Sequence, residues 1–307
     1  MRDRDHATLP SGREVGLLSL VIIGIGTSGP VIALSTMPIL VLIFWRNLGG
    51  FLLMLPWAIR ENSLRSVDDI SEKGDSFRRG IRFSILSGVA LAFHFIGFFI
   101  AMRFTSVAAG TALTALQPIF AAYFVKRLGG EIPRRAWIGM IIAFLGVLII
   151  TGVDAQISTR ALIGDLAAIC CAALAATYVV LGARARETVS TATYTSIAYL
   201  TCSIIAFVFA IIFSNQIWDY PIREWVLLLA LIAGAQLLGH TILNFTLKSL
   251  SPAIASLVVF FEVPVSAILA FWWIDQLPPI GTIPGLILIL IGCGVFVVKR
   301  TPTQNAS

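Results

Sequence analysis

The sequence predicts an all-α integral membrane protein with ten transmembrane helices. They form two five-helix repeats of inverted topology, with both termini cytoplasmic. Three observations carry this reading: the composition, the apolar runs with the charges between them, and an internal repeat. Of the 307 residues, 58% are hydrophobic and only 12% charged, and the mean hydropathy is +0.92. Soluble domains run nearer a quarter charged, and one of this length could not hide so much apolar surface. The net charge of +6 needs no nucleic-acid partner, because basic cytoplasmic segments of a membrane protein give the same balance. Cys170, Cys171, Cys202 and Cys293 all fall inside apolar runs. They have neither metal-ligand spacing nor a pattern of extramembrane disulfides, and read as small packing residues.

A helix needs about 20 apolar residues to cross a bilayer. Ten such runs occupy approximately residues 15–35, 38–58, 81–102, 106–126, 136–153, 161–182, 192–213, 224–247, 252–273 and 281–298. The first could imitate a signal peptide, with "ALST" as a weak cleavage site. It is long for such a segment and more spans follow at once, so it reads as a retained helix. The longest connection, "RENSLRSVDDISEKGDSFRRG", joins the second and third runs and has room for a short surface helix. With the N-terminus inside, cytoplasmic segments hold eighteen of the 22 Lys and Arg residues. The outer segments hold Arg103, Arg160 and Arg223, and Arg46 lies within a span. This is a strong positive-inside bias. It also checks the helix count, since losing one helix would scramble the sorting.

Sliding the chain against itself by 146 residues lays "GVALAFHFIGFFIAM" from Gly88 on "GAQLLGHTILNFTLK" from Gly234. His94 falls on His240, Pro118 on Pro264, Pro133 on Pro279, Gly139 on Gly285 and Gly146 on Gly292. Chance matches in apolar sequence are mostly Leu and Ile, not His, Pro and Gly in one frame. Helices three to five thus repeat as eight to ten. Because five is odd, the second copy enters the membrane from the other side, an architecture common among secondary transporters. The chain then divides into a cytoplasmic tail (1–14), a first repeat (15–153), a second repeat (161–298) and a cytoplasmic tail (299–307).

Within the repeat, "TALQPIFAAYFVKRLGGEIPRRAWIGMIIAFLGVLIITG" and "ASLVVFFEVPVSAILAFWWIDQLPPIGTIPGLILILIGCGVFVVK" share one plan. A small-residue helix, a central Pro, a short charged turn and a Gly-rich helix follow in order. This resembles the EamA-type repeat of the drug/metabolite transporter superfamily. "EVPVSAILAF" is similar to the E-P-V stretch common in that family's penultimate helix. The acidic residue after the fourth helix is Glu131, whereas Asp275 in "DQLPP" replaces it in the second copy. The resemblance implies a ten-helix metabolite exporter or exchanger of the inner membrane.

A charged side chain at the bilayer centre costs about 2.5–3.5 kcal/mol even on the lenient insertion scale, so polar groups inside the runs are the candidate site. Arg46, near the middle of the second run beside Trp45 and Asn47, has two readings. A guanidinium binds a substrate carboxylate or phosphate through its fork; alternatively it pairs with Glu262 or with helix-end carbonyls. Glu262 in turn suits a coupling proton, a substrate amine or neutralisation of Arg46. Gln236, His240 and Asn244 recur at i, i+4 and i+8, which stacks them on one helix face. They read as a cavity wall or as interhelical glue worth about 0.6–2 kcal/mol each. His94, Gln117 and Tyr178 are weaker cavity candidates, and a lone His such as His94 is as readily a packing residue. Trp45 lies deep enough to stack on a substrate. Pro118 and Pro264 each free a carbonyl one turn back and bend their helices. "GIGTSGP" either loosens the first helix or packs it closely. Asp165 reads as a partner of Arg160 or of lipid headgroups.

The sequence contains no Walker A loop, H-E-x-x-H or G-x-S-x-G. No cofactor, metal or nucleic acid is expected. The expected partners are a small-molecule substrate and the lipid bilayer, with the chain a monomer or homodimer. The leading expectation is a secondary transporter of amino acids or related zwitterions, by export or exchange. The alternatives are a nucleotide-sugar or other anionic metabolite transporter and, more remotely, an intramembrane enzyme or sensor.

Overall fold

The structure, a computed structural model, describes residues 12–63, 74–127, 134–214, 216–243 and 252–297. Every described regular element is helical. Among the described residues, eight helices are long and apolar enough to cross a membrane, and two shorter apolar stretches, Phe261–Ile274 and Ile280–Val295, follow them. The helices are α1 (Gly12–Gly26), α2 (Ser28–Leu34), α3 (Ile39–Ser63), α4 (Gly74–Phe104), α5 (Val107–Thr114), α6 (Gln117–Arg127), α7 (Arg134–Ile157), α8 (Thr159–Ala185) and α9 (Thr191–Ser214). Then come α10 (Ile222–Leu231), which runs into a π-helix (Ile232–Thr241), α11 (Pro252–Ile274), a 3₁₀ turn (Ile280–Thr282) and α12 (Ile283–Val297). α4 starts seven residues before the third apolar run. The expected surface helix falls largely at 64–73, outside the described residues.

Two of the apolar runs are broken. The first splits at Thr27, whose hydroxyl donates to the Gly24 carbonyl at 2.7 Å. Pro30 lacks the N–H that would bond the Gly26 carbonyl, and Ser266 of α11 donates to that carbonyl at 2.8 Å instead. In hydrocarbon such a replacement is needed, because no water can satisfy a freed backbone group. Gly24 also lets α1 touch the π-helix, since a Cβ there would lie 2.8 Å from the Gly234 carbonyl oxygen. Loosening and close packing are thus both present in "GIGTSGP". The fourth run breaks at Ala115 and Leu116, just before Pro118. α11, by contrast, continues through Pro264.

With little hydrophobic drive between helices in lipid, close approach at small residues supplies the packing. A Cβ on Gly146 of α7 would lie 2.6 Å from the Gly285 oxygen of α12, and one on Gly292 would lie 2.6 Å from the Gly139 oxygen. Higher numbers on α7 meet lower numbers on α12, so the two helices run antiparallel. The contact pairs 146 with 285 and 139 with 292, whose members exchange under the 146-residue offset. α4 packs on α8, and α1 on the π-helix after α10.

The connections gather at two ends. At one end, Arg103 donates to the Ile32 and Met37 carbonyls, Arg160 to the Arg103 carbonyl and Arg223 to the Leu34 carbonyl. The Val107 amide meets Gln276 there, and Val153 lies against Gly281. At the other end, Lys126 lies over Trp137, Arg184 over Phe83 and Arg186 over Tyr194.

Candidate functional site

Arg46 projects from α3 and is wholly buried. Because α3 spans Ile39–Ser63, Arg46 lies about 10 Å along the axis from the Ile39 end, close to the middle of the 38–58 run. Phe95 and Phe99 of α4, one turn apart, receive it: the guanidinium carbon is 4.2 Å from the first ring centroid and 5.9 Å from the second. Their electron-rich faces attract a cation most where water is excluded. Arg46 Nε donates to Gln236 Oε1 at 2.7 Å. Nη1 and Nη2 have no hydrogen-bond partner among the described residues, and neither does Gln236 Nε2. The fork end of the guanidinium, which matches a carboxylate, is the unmet part.

Gln236 is held from below. It sits in the π-helix, where i→i+5 bonding applies, and the Thr241 hydroxyl donates to its carbonyl at 2.9 Å. Tyr199 approaches Thr241 at 3.4 Å. Gly50 completes the fit, since a Cβ there would lie 2.8 Å from Gln236 Nε2 and 2.9 Å from the Tyr199 ring. The expected α-helical stripe is thus a π-helical one. Four residues fall a little short of a 4.4-residue turn rather than a little beyond a 3.6-residue one, so Gln236 and His240 still share a face.

His240 is half-buried and stands edge-on to Phe95 at 5.9 Å between centroids. Phe95 thus touches both Arg46 and His240. Asn244 lies outside the described residues. Glu262 of α11 is half-buried and acts electrostatically on Arg46. No ion pair joins the two, because both Nη atoms are free of partners among the described residues.

The other candidates stand apart. Trp45 donates its indole N–H to the Ile217 carbonyl at 3.0 Å and packs its ring against Phe44, Trp218 and Trp225. His94 Nδ1 lies 3.2 Å from the Cys171 carbonyl and stacks on Phe98, the environment of a satisfied packing histidine. Tyr178 is buried and stacks on Tyr194 at 6.2 Å. Gln117 is half-buried at the first turn of α6, beside the helix break at Pro118. Asn47 gives its amide to the Ile43 carbonyl, leaving Oδ1 unpaired.

A cavity of about 500 Å³ opens between α3, α4 and α9, lined by Phe51, Phe77, Ile81, Thr193, Ser196 and neighbours. Arg46 and Gln236 are not in its wall, but Phe51 adjoins Gly50 and Ser196 is one turn from Tyr199.

Sequence reasoning missed Phe95, Phe99, Tyr199 and Thr241. A signal existed for the first two, whose i, i+4 spacing in "FHFIGFF" places both rings on one helix face. It also missed Glu224, wholly buried, whose carboxylate accepts from Ser35 Oγ at 2.6 Å, Thr36 N at 3.0 Å, Thr36 Oγ1 at 3.0 Å and Met37 N at 3.2 Å. Glu224 caps the elbow that starts α3.

Known proteins match the chain along most of its length. The EamA-like transporter family matches residues 12–152 and again 162–298. The chain belongs to the EamA-like transporter family. It is 26% identical over 219 residues to the pseudopaline exporter CntI of Pseudomonas aeruginosa (strain UCBPP-PA14), covering 70% of this chain and 75% of that protein. It is 25% identical over 219 residues to an uncharacterized transporter of Archaeoglobus fulgidus, covering 70% of this chain and 74% of that one. A solved structure titled "Crystal structure of protein" superposes with a TM-score of 0.61 at 19% identity, covering 93% and 98% of the two chains, and shares the fold. This member of the drug/metabolite transporter superfamily is therefore a multi-pass membrane protein and a transporter.

Proposed function

We propose that this EamA-family protein is a secondary transporter in the inner membrane. It exports or exchanges small metabolites bearing a carboxylate, amino acids or related zwitterions first among them. The observation that carries this reading is the buried guanidinium of Arg46. Among the described residues it has one hydrogen bond, two aromatic faces and an unmet fork. A carboxylate supplies two parallel acceptors for Nη1 and Nη2. Glu262 or Asn244 would take the substrate amine, with His240 and Gln236 adding polar contacts. A single arginine is sparse for the several phosphates of a nucleotide-sugar. Export agrees with the name of the P. aeruginosa relative.

Ten crossings in two inverted five-helix repeats, with both termini cytoplasmic, are part of the proposal. The antiparallel α7–α12 contact, whose glycines exchange under the repeat offset, supports it. So does the gathering of Arg103, Arg160 and Arg223 at one end, which would be the outer one. Rocking of the repeats would then give alternating access.

The test is solute exchange in proteoliposomes without ATP. The vesicles are preloaded with a pool of amino acids and nucleotides, and the exchanged solutes are identified by mass spectrometry. Exchange of amino acids by wild-type protein and its loss in R46A support the reading. Exchange of nucleotides instead, or of amino acids at the same rate by R46A, would overturn it.

A further inference from the structure

A second buried polar group lacks a counter-charge. Asp154 lies one turn from the end of α7 and Asp165 is in the second turn of α8, the first within the segment between the two family matches and the second just after it. They are 2% and 0% exposed. The Thr105 hydroxyl donates to Asp154 Oδ2 at 2.7 Å, and Asp165 lies against both Asp154 and Thr105. Neither Asp165 oxygen receives a hydrogen bond from a described residue. Gly164 permits the approach, since a Cβ there would lie 2.8 Å from the Thr105 amide nitrogen.

The charged groups on the elements packed here leave the pair alone. Arg160, the expected partner of Asp165, donates to the Arg103 carbonyl and lies 4.6 Å over the Phe104 ring. Arg103 of α4 donates to the Ile32 and Met37 carbonyls. Asp275, after α11, is exposed. α5, the 3₁₀ turn and the near end of α12 bring no titratable side chain.

Two ionised carboxylates in contact, shielded from water and without a cation, repel strongly. One proton turns that repulsion into a hydrogen bond, with one carboxyl donating to the other. We propose that Asp154 and Asp165 form a proton-binding carboxyl pair that ties α7 to α8 where the two repeats join. With the proton bound, the two helix ends are held together. When the proton leaves, the two like charges push them apart. Through this junction proton binding favours one arrangement of the repeats, so the pair couples pH to transport. The coupling rests on the alternating-access reading, and the proton site does not.

The test uses full-length protein in lipid nanodiscs and infrared spectroscopy at neutral pH, with no substrate present. Wild-type protein is expected to show the C=O stretch of a protonated carboxyl that is lost in D165N and retained in E262Q. T105V removes the donor to Asp154 without touching either carboxyl, and is expected to shift the band and the pH at which it titrates. A spectrum that neither D165N nor T105V alters overturns the proposal. So does a wild type with no such band whose thermal stability rises with sodium and loses that dependence in D165N, which would make the pair a metal-cation site. In proteoliposomes the exchange rate is expected to vary with pH in wild type and to flatten in D165N. A band that behaves as expected, in protein that exchanges nothing, would fault the transport reading and leave the proton site standing.

Discussion

Arg46 and Glu224 are both buried charges in one bundle, and the fold treats them in opposite ways. Glu224 collects the hydroxyls of Ser35 and Thr36, the amides of Thr36 and Met37, and Nη1 of Arg223 at 3.0 Å. Arg46, with five N–H donors, makes one hydrogen bond among the described residues and rests on two phenyl rings. An unmet buried donor costs about 1–3 kcal/mol, more when charged. The difference separates a charge whose work is finished by the protein from one that awaits a partner. Glu224 closes the elbow between α2 and α3 against α10; on the proposed function, Arg46 faces the substrate path.

Substitutions sharpen that contrast. The largest expected effect is on transport in R46A, at least about 100-fold slower exchange. That corresponds to about 2.7 kcal/mol of lost charge-pair interaction, with little loss of thermal stability. Glu224→Ala should do the reverse. Stranding the donors of Ser35, Thr36 and Met37 is expected to cost on the order of 2–4 kcal/mol of stability, read as a lower unfolding temperature in detergent. Equal stability losses in the two variants would erase the distinction between them. R46K keeps the charge and loses the planar fork, and is expected to slow exchange about tenfold, roughly 1.4 kcal/mol. The smallest effect belongs to the repeat-related histidines: H94L is expected to leave exchange within about threefold, and H240L to reduce it more. A larger loss in H94L would return His94 to the substrate path.

The helices were legible because membrane crossing imposes a length and an apolar composition that each run displays. Eight of the runs correspond to described helices long enough to cross a membrane and the last two to shorter apolar stretches, with ends displaced by a few residues except at α4 and residues 244–247 outside those described. A disturbance at Pro118 was legible, since Pro acts locally; at "GIGTSGP" the sequence left loosening and close packing open, and the structure shows both. The π-helix was not: an i, i+4 spacing satisfies a 3.6-residue and a 4.4-residue turn alike, so Gln236 and His240 say nothing about which applies. Arg46 stood out as a charge among apolar neighbours. Its companions Phe95, Phe99 and Tyr199 did not, because an aromatic residue in an apolar run has many uses and only the packing of α3 against α4 and α9 chooses one. Trp45 shows the limit in the other direction. Adjacent to Arg46 in sequence, it points about 100° away around the helix, toward Trp218 and Trp225. Asp165 was noticed but given to Arg160, five residues before it, or to lipid headgroups. Which of two neighbours a buried carboxyl meets depends on the adjoining helix ends, and these bring Asp154 and Thr105 instead.

The central claim is that the Arg46 fork receives a substrate carboxylate. The most direct measurement compares, in proteoliposomes, competition for exchange by an amino acid and by the amine that lacks its carboxylate, with wild-type protein and with R46A. The account expects wild-type protein to favour the amino acid at least about tenfold, and R46A to lose that preference. An R46A protein that still folds and discriminates as wild type does would contradict it, and Arg46 would then be a structural cation like those at the helix ends.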